Sequence, residues 1–100
     1  MLKKTLTATA LSILIPATAS ADAMCESLAE LAKSVMTERQ SGTPMVDIMK
    51  RVSNDSTAEI ARGLIMMAYD RPAFSTEDYK QKEVVRFQDS VYLKCLRGSR

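Results

Sequence analysis

The chain has 100 residues, with 14 Lys and Arg against 12 Asp and Glu, no His and two Cys. That length suits one domain, and the missing His removes both the commonest general base and the imidazole ligands of metal sites. Two Cys alone cannot make a structural zinc centre, which takes four Cys or His ligands.

Residues 1–21 read as a cleavable secretory signal. Lys3 and Lys4 supply a positive start, and Thr5 to Ile15 form an uncharged run. Pro16 then breaks any helix, having no N–H and a ring that clashes with the preceding turn. Ala19-Ser20-Ala21 gives the small-x-small pattern of a signal-peptidase site and places cleavage before Asp22. Ala21-Asp22-Ala23 is a competing site of the same type. A transmembrane anchor needs about 20 apolar residues, more than this run offers, so no stable membrane insertion is expected after cleavage. Cys25 follows Asp22-Ala23-Met24, a spacing that argues against lipidation. Losing Lys3 and Lys4 leaves the side chains balanced, with 12 acidic residues matched by as many basic ones. The balance removes the electrostatic case for nucleic acid and weakens that for anionic membranes. The expectation is one periplasmic or secreted domain over 22–100.

Four helices are predicted in that domain. The first covers 22–40, where Met24, Leu28, Leu31 and Val35 recur at steps of three and four beside Cys25, Ala32 and Met36. Asp22 can cap its start, Glu26 and Arg39 suit the two ends of its dipole, and Gly42 ends it. Thr43 as N-cap and Pro44 at the first helical position open a short second helix with Met45, Ile48, Met49 and Val52 on its buried face. Ser56-Thr57-Ala58-Glu59 has the capping-box pattern and starts a third. Its apolar face carries Ile60, Ala61, Leu64, Met67 and Ala68, with Ile65 at the edge. Pro72 stops it by Arg71. Ser75-Thr76 caps the fourth, with Glu77 and Asp78 in the first turn and Lys94 and Arg97 in the last. Val84, Phe87, Val91 and Cys95 line its apolar face, flanked by Tyr92 and Leu96. No segment alternates at period two for long enough to argue a strand. The fold class is all-α, a small bundle of about four helices.

Cys25 and Cys95 open the first helix and close the last. In an oxidising compartment a minimal pair forms a disulfide, and here it joins those two helices antiparallel. Closing a loop of about 70 residues restricts the unfolded chain by roughly 4 kcal/mol. A redox-active pair would instead sit close in sequence, as in C-x-x-C.

Catalytic residues are not found. No triad forms without His, although Ser-Lys variants exist. The pairs Glu26/Glu30 and Glu77/Asp78 read as solvated or dipole-complementing carboxylates. No Gly-rich phosphate loop is present, and no cofactor or metal is expected. Of the six Met after the signal, Met24, Met36, Met45, Met49 and Met67 fall on predicted apolar faces and read as core, whereas Met thioethers on a surface can hold soft copper. Met66 projects away from Ile60 and Leu64. With Tyr69, Asp70, Arg71, Pro72 and Phe74 it makes the candidate interaction patch, since Tyr, Arg and Met favour interface cores and a Pro-fixed connector costs little to order. In the competing reading the third helix is buried on two sides and Phe74 folds back as a plug.

Cys25-Glu26, the Val35–Met45 junction, Ala68-Tyr69-Asp70-Arg71-Pro72 and the Phe87–Cys95 segment resemble a group of small exported helical proteins encoded by bacteria and their phages. The resemblance spans nearly the whole domain; it implies one disulfide-bonded domain and names no activity. A looser, architectural likeness is to periplasmic acid-stress chaperones. The expected function is non-enzymatic binding or inhibition of another envelope or periplasmic protein, of which phage interference with lysis or with a second infection is one form. An acid-stress chaperone is the alternative.

Overall fold

The computed structural model describes residues 17–98. Four helices and no strand occur among the described residues: α1 (Ala17–Gln40), α2 (Met45–Met49), α3 (Ala58–Tyr69) and α4 (Glu77–Gly98). The lysines, apolar run and Pro16 of the signal reading lie outside them.

α1 does not start at Asp22. It already runs through Ala19, Ala21 and Asp22, so Asp22 caps nothing and Glu26 lies more than two turns inside. Alanine needs no cap to prefer the helix, and Ala17, Ala19, Ala21 and Ala23 carry α1 back past the expected boundary. Its other end closes in a Schellman motif. Gly42, at φ +90°, donates its N–H to Arg39 O at 3.1 Å, and Thr43 N–H donates to Glu38 O at 3.0 Å.

Two other caps differ from expectation. Pro44, with ψ 144°, is itself the N-cap of α2. The Thr43 hydroxyl is drawn instead to Glu38 Oε1 at 2.6 Å. At α3 the Ser56–Glu59 capping box is not formed. Asp55 serves that end: its carboxylate accepts the Thr57 N–H at 2.9 Å and the Thr57 and Ser53 hydroxyls at 2.5 and 2.8 Å. The Asp55 carboxylate holds the Thr57 N–H and hydroxyl two residues on, an Asx-type turn, and Thr57 rather than Ser56 is the N-cap. Thr76 caps α4 as expected, accepting the Tyr79 N–H at 3.3 Å. Arg97 occupies the last turn, with Lys94 just before it.

α1 is the central helix. α4 runs antiparallel along it, Lys80 Nζ donating to Gln40 O at 2.5 Å near one end and Cys95 bonded to Cys25 near the other. α3 runs in the same direction as α1, with Thr57 and Ile60 beside Leu31, and Arg71, just past its end, beside Arg39. Where all four helices meet, Ala32, Val35, Met36, Ile48, Leu64, Ile65, Ala68, Val84, Phe87 and Val91 form the core.

The apolar faces are rotated from those expected. Ile65 is 2% exposed and central, not at an edge, whereas Ile60 and Met67 are exposed. α3 turns Ile65 and Ala68 inward, which leaves the Ile60–Met67 line outside. Along α1 the buried line is Cys25, Ala29, Ala32, Met36 and Gln40, joined by Val35, while Met24 and Leu31 are exposed. Met45 also lies at the surface, so of the five methionines read as core only Met36 is fully buried.

Past the start of α3, whose Thr57 and Ile60 still border a groove with Ala23 and Met24, α1 and α4 continue as a two-helix arm. Its buried residues on α1 are Cys25 and Ala29, both outside the main core cluster, while the half-buried Leu28 between them packs against that cluster. Burying an alanine methyl contributes about 0.8 kcal/mol, whereas ordering one residue's backbone costs about 1–2 kcal/mol. The Cys25–Cys95 bridge, with Cα atoms 5.5 Å apart, therefore holds the arm closed.

Candidate interaction surface

Of the patch expected from the sequence, Met66, Asp70 and Pro72 are exposed, and Tyr69, Arg71 and Phe74 are half-buried. The connector after α3 is fastened to the end of α1. Arg39 donates Nε and one terminal N–H to Arg71 O at 3.0 and 2.8 Å, and its guanidinium lies 5.1 Å from the Tyr69 ring centroid. Gln40, 4% exposed, donates Nε2–H to Pro72 O at 2.9 Å, and its Oε1 accepts the Phe74 N–H at 2.9 Å. Arg71 turns inward: its Nε–H donates to Glu83 Oε2 at 2.5 Å, with the guanidinium 5.4 Å from the Phe87 centroid. The Tyr69 hydroxyl donates to Thr43 O at 2.5 Å. Burial pushes the Tyr69 phenol above its ordinary value of 10.0, the Glu38 carboxylate adding to the shift, so it stays protonated as that donor. Phe74 is no plug; it packs at the surface against Tyr79, ring centroids 5.8 Å apart. Four of the six patch residues, Tyr69, Arg71, Pro72 and Phe74, thus hold the fold together.

A different surface gathers apolar side chains without such duties. Between α1 and the start of α3 lies a groove of about 520 Å³ walled by Met24, Leu28, Leu31 and Ile60, with the small Ala23, Ser27 and Thr57 between them. Met24 is 68% exposed and Ile60 50% exposed. None of these lining residues is charged, in a chain with 26% charged residues. Leu31 and Thr57 also border a second hollow of about 330 Å³ that runs on past Val35, Ile48, Val52 and Ala61, with Glu38 and Arg51 in its wall. The two hollows make one apolar track along α1.

The surface was within reach of sequence reasoning. Met24, Leu28, Leu31 and Val35 follow 4-3-4 spacing, the seam of a helix that packs along its length. α3 starts near Leu31 and runs from there towards the C-terminal end of α1, so the first rung, Met24, stays open. Contiguous uncovered apolar surface marks interaction sites more reliably than scattered residues do.

The carboxylates of the track titrate together with its fold. Glu38 is held below its ordinary 4.5 by the Thr43 hydroxyl and then by Arg51, whose guanidinium lies 3.3 Å away. Asp55 is held below its ordinary 3.8 by the Thr57 hydroxyl, then by the Ser53 hydroxyl and the Thr57 N–H. Both values are depressed on folding. Their stabilisation is complete above the unfolded values and fades as the pH falls through them to the lower folded values. The melting temperature should therefore drop on acidification below about pH 4.5. In Asp55→Asn that drop becomes shallower, which a pH series of thermal melts reads directly.

The other carboxylate pairs have simpler roles. Glu26 and Glu30 line a groove of about 750 Å³ on the α1–α4 arm with Asp89, Gln88 and Tyr92. Glu77 and Asp78 occupy the first turn of α4, Asp78 also pairing with Lys82 at 3.2 Å. Among the described residues no three Cys, Asp or Glu converge to hold a metal, and no helix is long and apolar enough to cross a membrane. No family model matches the chain, and neither a curated protein nor a solved structure is significantly similar to it.

Proposed function

We infer that this is an exported, non-enzymatic binding module that docks on another envelope protein through the α1–α3 groove. Export follows from the signal pattern over residues 1–21 and suits a chain whose ends are joined by a disulfide. One observation carries the binding reading: Met24, Leu31 and Ile60 stand exposed together around an uncharged groove on a stapled scaffold. A groove walled by two helices accepts the apolar face of a third, so the partner presents an amphipathic helix. The absence of His and of a phosphate-binding loop supports the non-enzymatic part.

A photo-crosslinking side chain in place of Ile60 tests this in cells. It should yield one defined envelope adduct, and the same group at Val85, exposed on α4, should yield none. Met24→Glu with Leu31→Glu should abolish the adduct, because burying each apolar side chain contributes about 1.5–3 kcal/mol. The matching loss of affinity is at least roughly 100-fold. Adducts of equal yield from both positions, or none from position 60, would sink the reading.

The acid-stress chaperone is favoured by one observation of its own. Glu38 and Asp55, which brace the α2–α3 side of the track, let go as they protonate, widening the apolar surface in acid. It requires suppression of client aggregation at low pH with little at neutral pH, and equal activity at both would eliminate it.

A further inference from the structure

One wall of the groove, Met24, Leu28 and Leu31, stands on α1, with Met24 out on the two-helix arm, and the other, Ile60, stands on α3. These walls are held by different means. Ile60 belongs to a helix seated in the core through Leu64, Ile65 and Ala68. Leu28 also packs against that core, whereas Met24 flanks Cys25, and around it the buried side chains of α1 are Cys25 and Ala29. A helix end that runs past its packed neighbours frays with little cost.

We propose that the Cys25–Cys95 disulfide is a redox gate on the groove: oxidation holds the end of the arm that sets Met24 over the groove opposite Ile60, and a dithiol that reduces the bridge releases that end while the four-helix end, Leu28 included, stays folded. This rests on the groove being the binding surface. The bridge is open to attack from one side, because Cys25 is fully buried and Cys95 partly exposed. A thiolate of the dithiol attacks the Cys95 sulfur. A mixed disulfide forms there, the Cys25–Cys95 bond breaks, and Cys25 departs as a thiolate that takes up a proton. The dithiol's second sulfur then attacks its own partner sulfur and releases Cys95, which is protonated in turn. Two electrons and two protons pass to the cysteines, and the dithiol ends as a disulfide. In a reducing compartment the groove loses Met24, its most exposed large apolar contact, and with it the grip on a partner. Binding is confined to the oxidising space outside the cytoplasm.

Amide hydrogen exchange read by mass spectrometry, on the full chain before and after treatment with dithiothreitol, tests the gate. Protection over 21–27 and 92–98 should fall by roughly 100-fold, within the range set by removing a native disulfide's constraint. Protection over 60–69 and 80–88 should change by less than about threefold. The double variant Cys25→Ser/Cys95→Ser should reproduce the reduced pattern without reductant. Loss of protection in all four helices, or none anywhere, overturns the gate. The crosslinker at position 60 separates the two ideas. An adduct that survives reduction overturns the gate, and one that disappears supports it. If the oxidised chain gives no adduct while the arm alone loses protection, the binding reading fails and the conformational gate stands.

Discussion

Phe87→Ala is expected to lower the stability of the domain by about 3–5 kcal/mol, enough to leave a large unfolded population at 37 °C. Phe87 is 0% exposed at the middle of the core, between Val84 and Val91 on α4. The surrounding core is built from Ala, Val, Leu, Ile and Met, with no second fully buried ring to move into the space. A hole ringed by short, stiff side chains collapses poorly, which puts the cost at the upper end of its class. The Arg71 guanidinium over the ring would also lose its aromatic partner and face a void beside Glu83. Small domains have only about 5–15 kcal/mol to lose. Phe87→Leu should cost less than about half as much, since it refills most of the volume. Urea denaturation followed by circular dichroism measures both. A loss under about 1 kcal/mol for the alanine variant would show that α3 and α4 close over the gap.

Gln40→Leu comes next, at about 2–4 kcal/mol. Leucine fills nearly the same space, so the cost is one of hydrogen bonds. The Phe74 N–H and the Pro72 carbonyl lose their partner, and the contact from Nε2 to Met36 Sδ at 3.3 Å disappears. A buried polar group stripped of its partner costs about 1–3 kcal/mol. The connector should loosen first: exchange protection at Phe74 should vanish under conditions where Phe87 remains protected. Equal stability of Gln40→Leu and the parent chain would mean that water replaces the side chain and that Arg39 alone anchors the connector through Arg71 O.

The contrast between these residues shows what can be read from a linear chain. Phe87 was legible because Val84, Phe87, Val91 and Cys95 repeat at helical spacing, and Thr76 and Gly42 punctuate the helices where they were expected to. The Cys25–Cys95 bridge followed from counting. Gln40 was not legible. A glutamine at a helix end is ordinarily solvated, and only the return of the connector, more than 30 residues later, buries it. Asp55 was not legible either, because the capping-box spacing points to Ser56 and Glu59 whereas the chain turns on Asp55 and Thr57. The surface failed for a related reason. Periodicity shows that Met24 and Leu31 are on a seam, but exposure depends on how far the neighbouring helix extends. Tyr69 and Arg71 have the chemistry of interface residues, and here they spend it on Thr43 and Glu83.

The bridge has one more consequence, for the chain as a closed loop. Cys25 and Cys95 join its two ends over a sequence separation of 70, so nearly the whole domain lies within a covalent ring. An endoprotease that cuts the exposed turn at Ser53–Ser56 opens the ring at one point and releases no fragment. The nicked molecule gains the mass of one water and runs as a single species on a non-reducing gel, separating into two only with reductant. With α3 and α4 still seated on α1, such a molecule can keep its shape after a cut that would scatter a linear chain. Destroying it takes a second cut or a thiol.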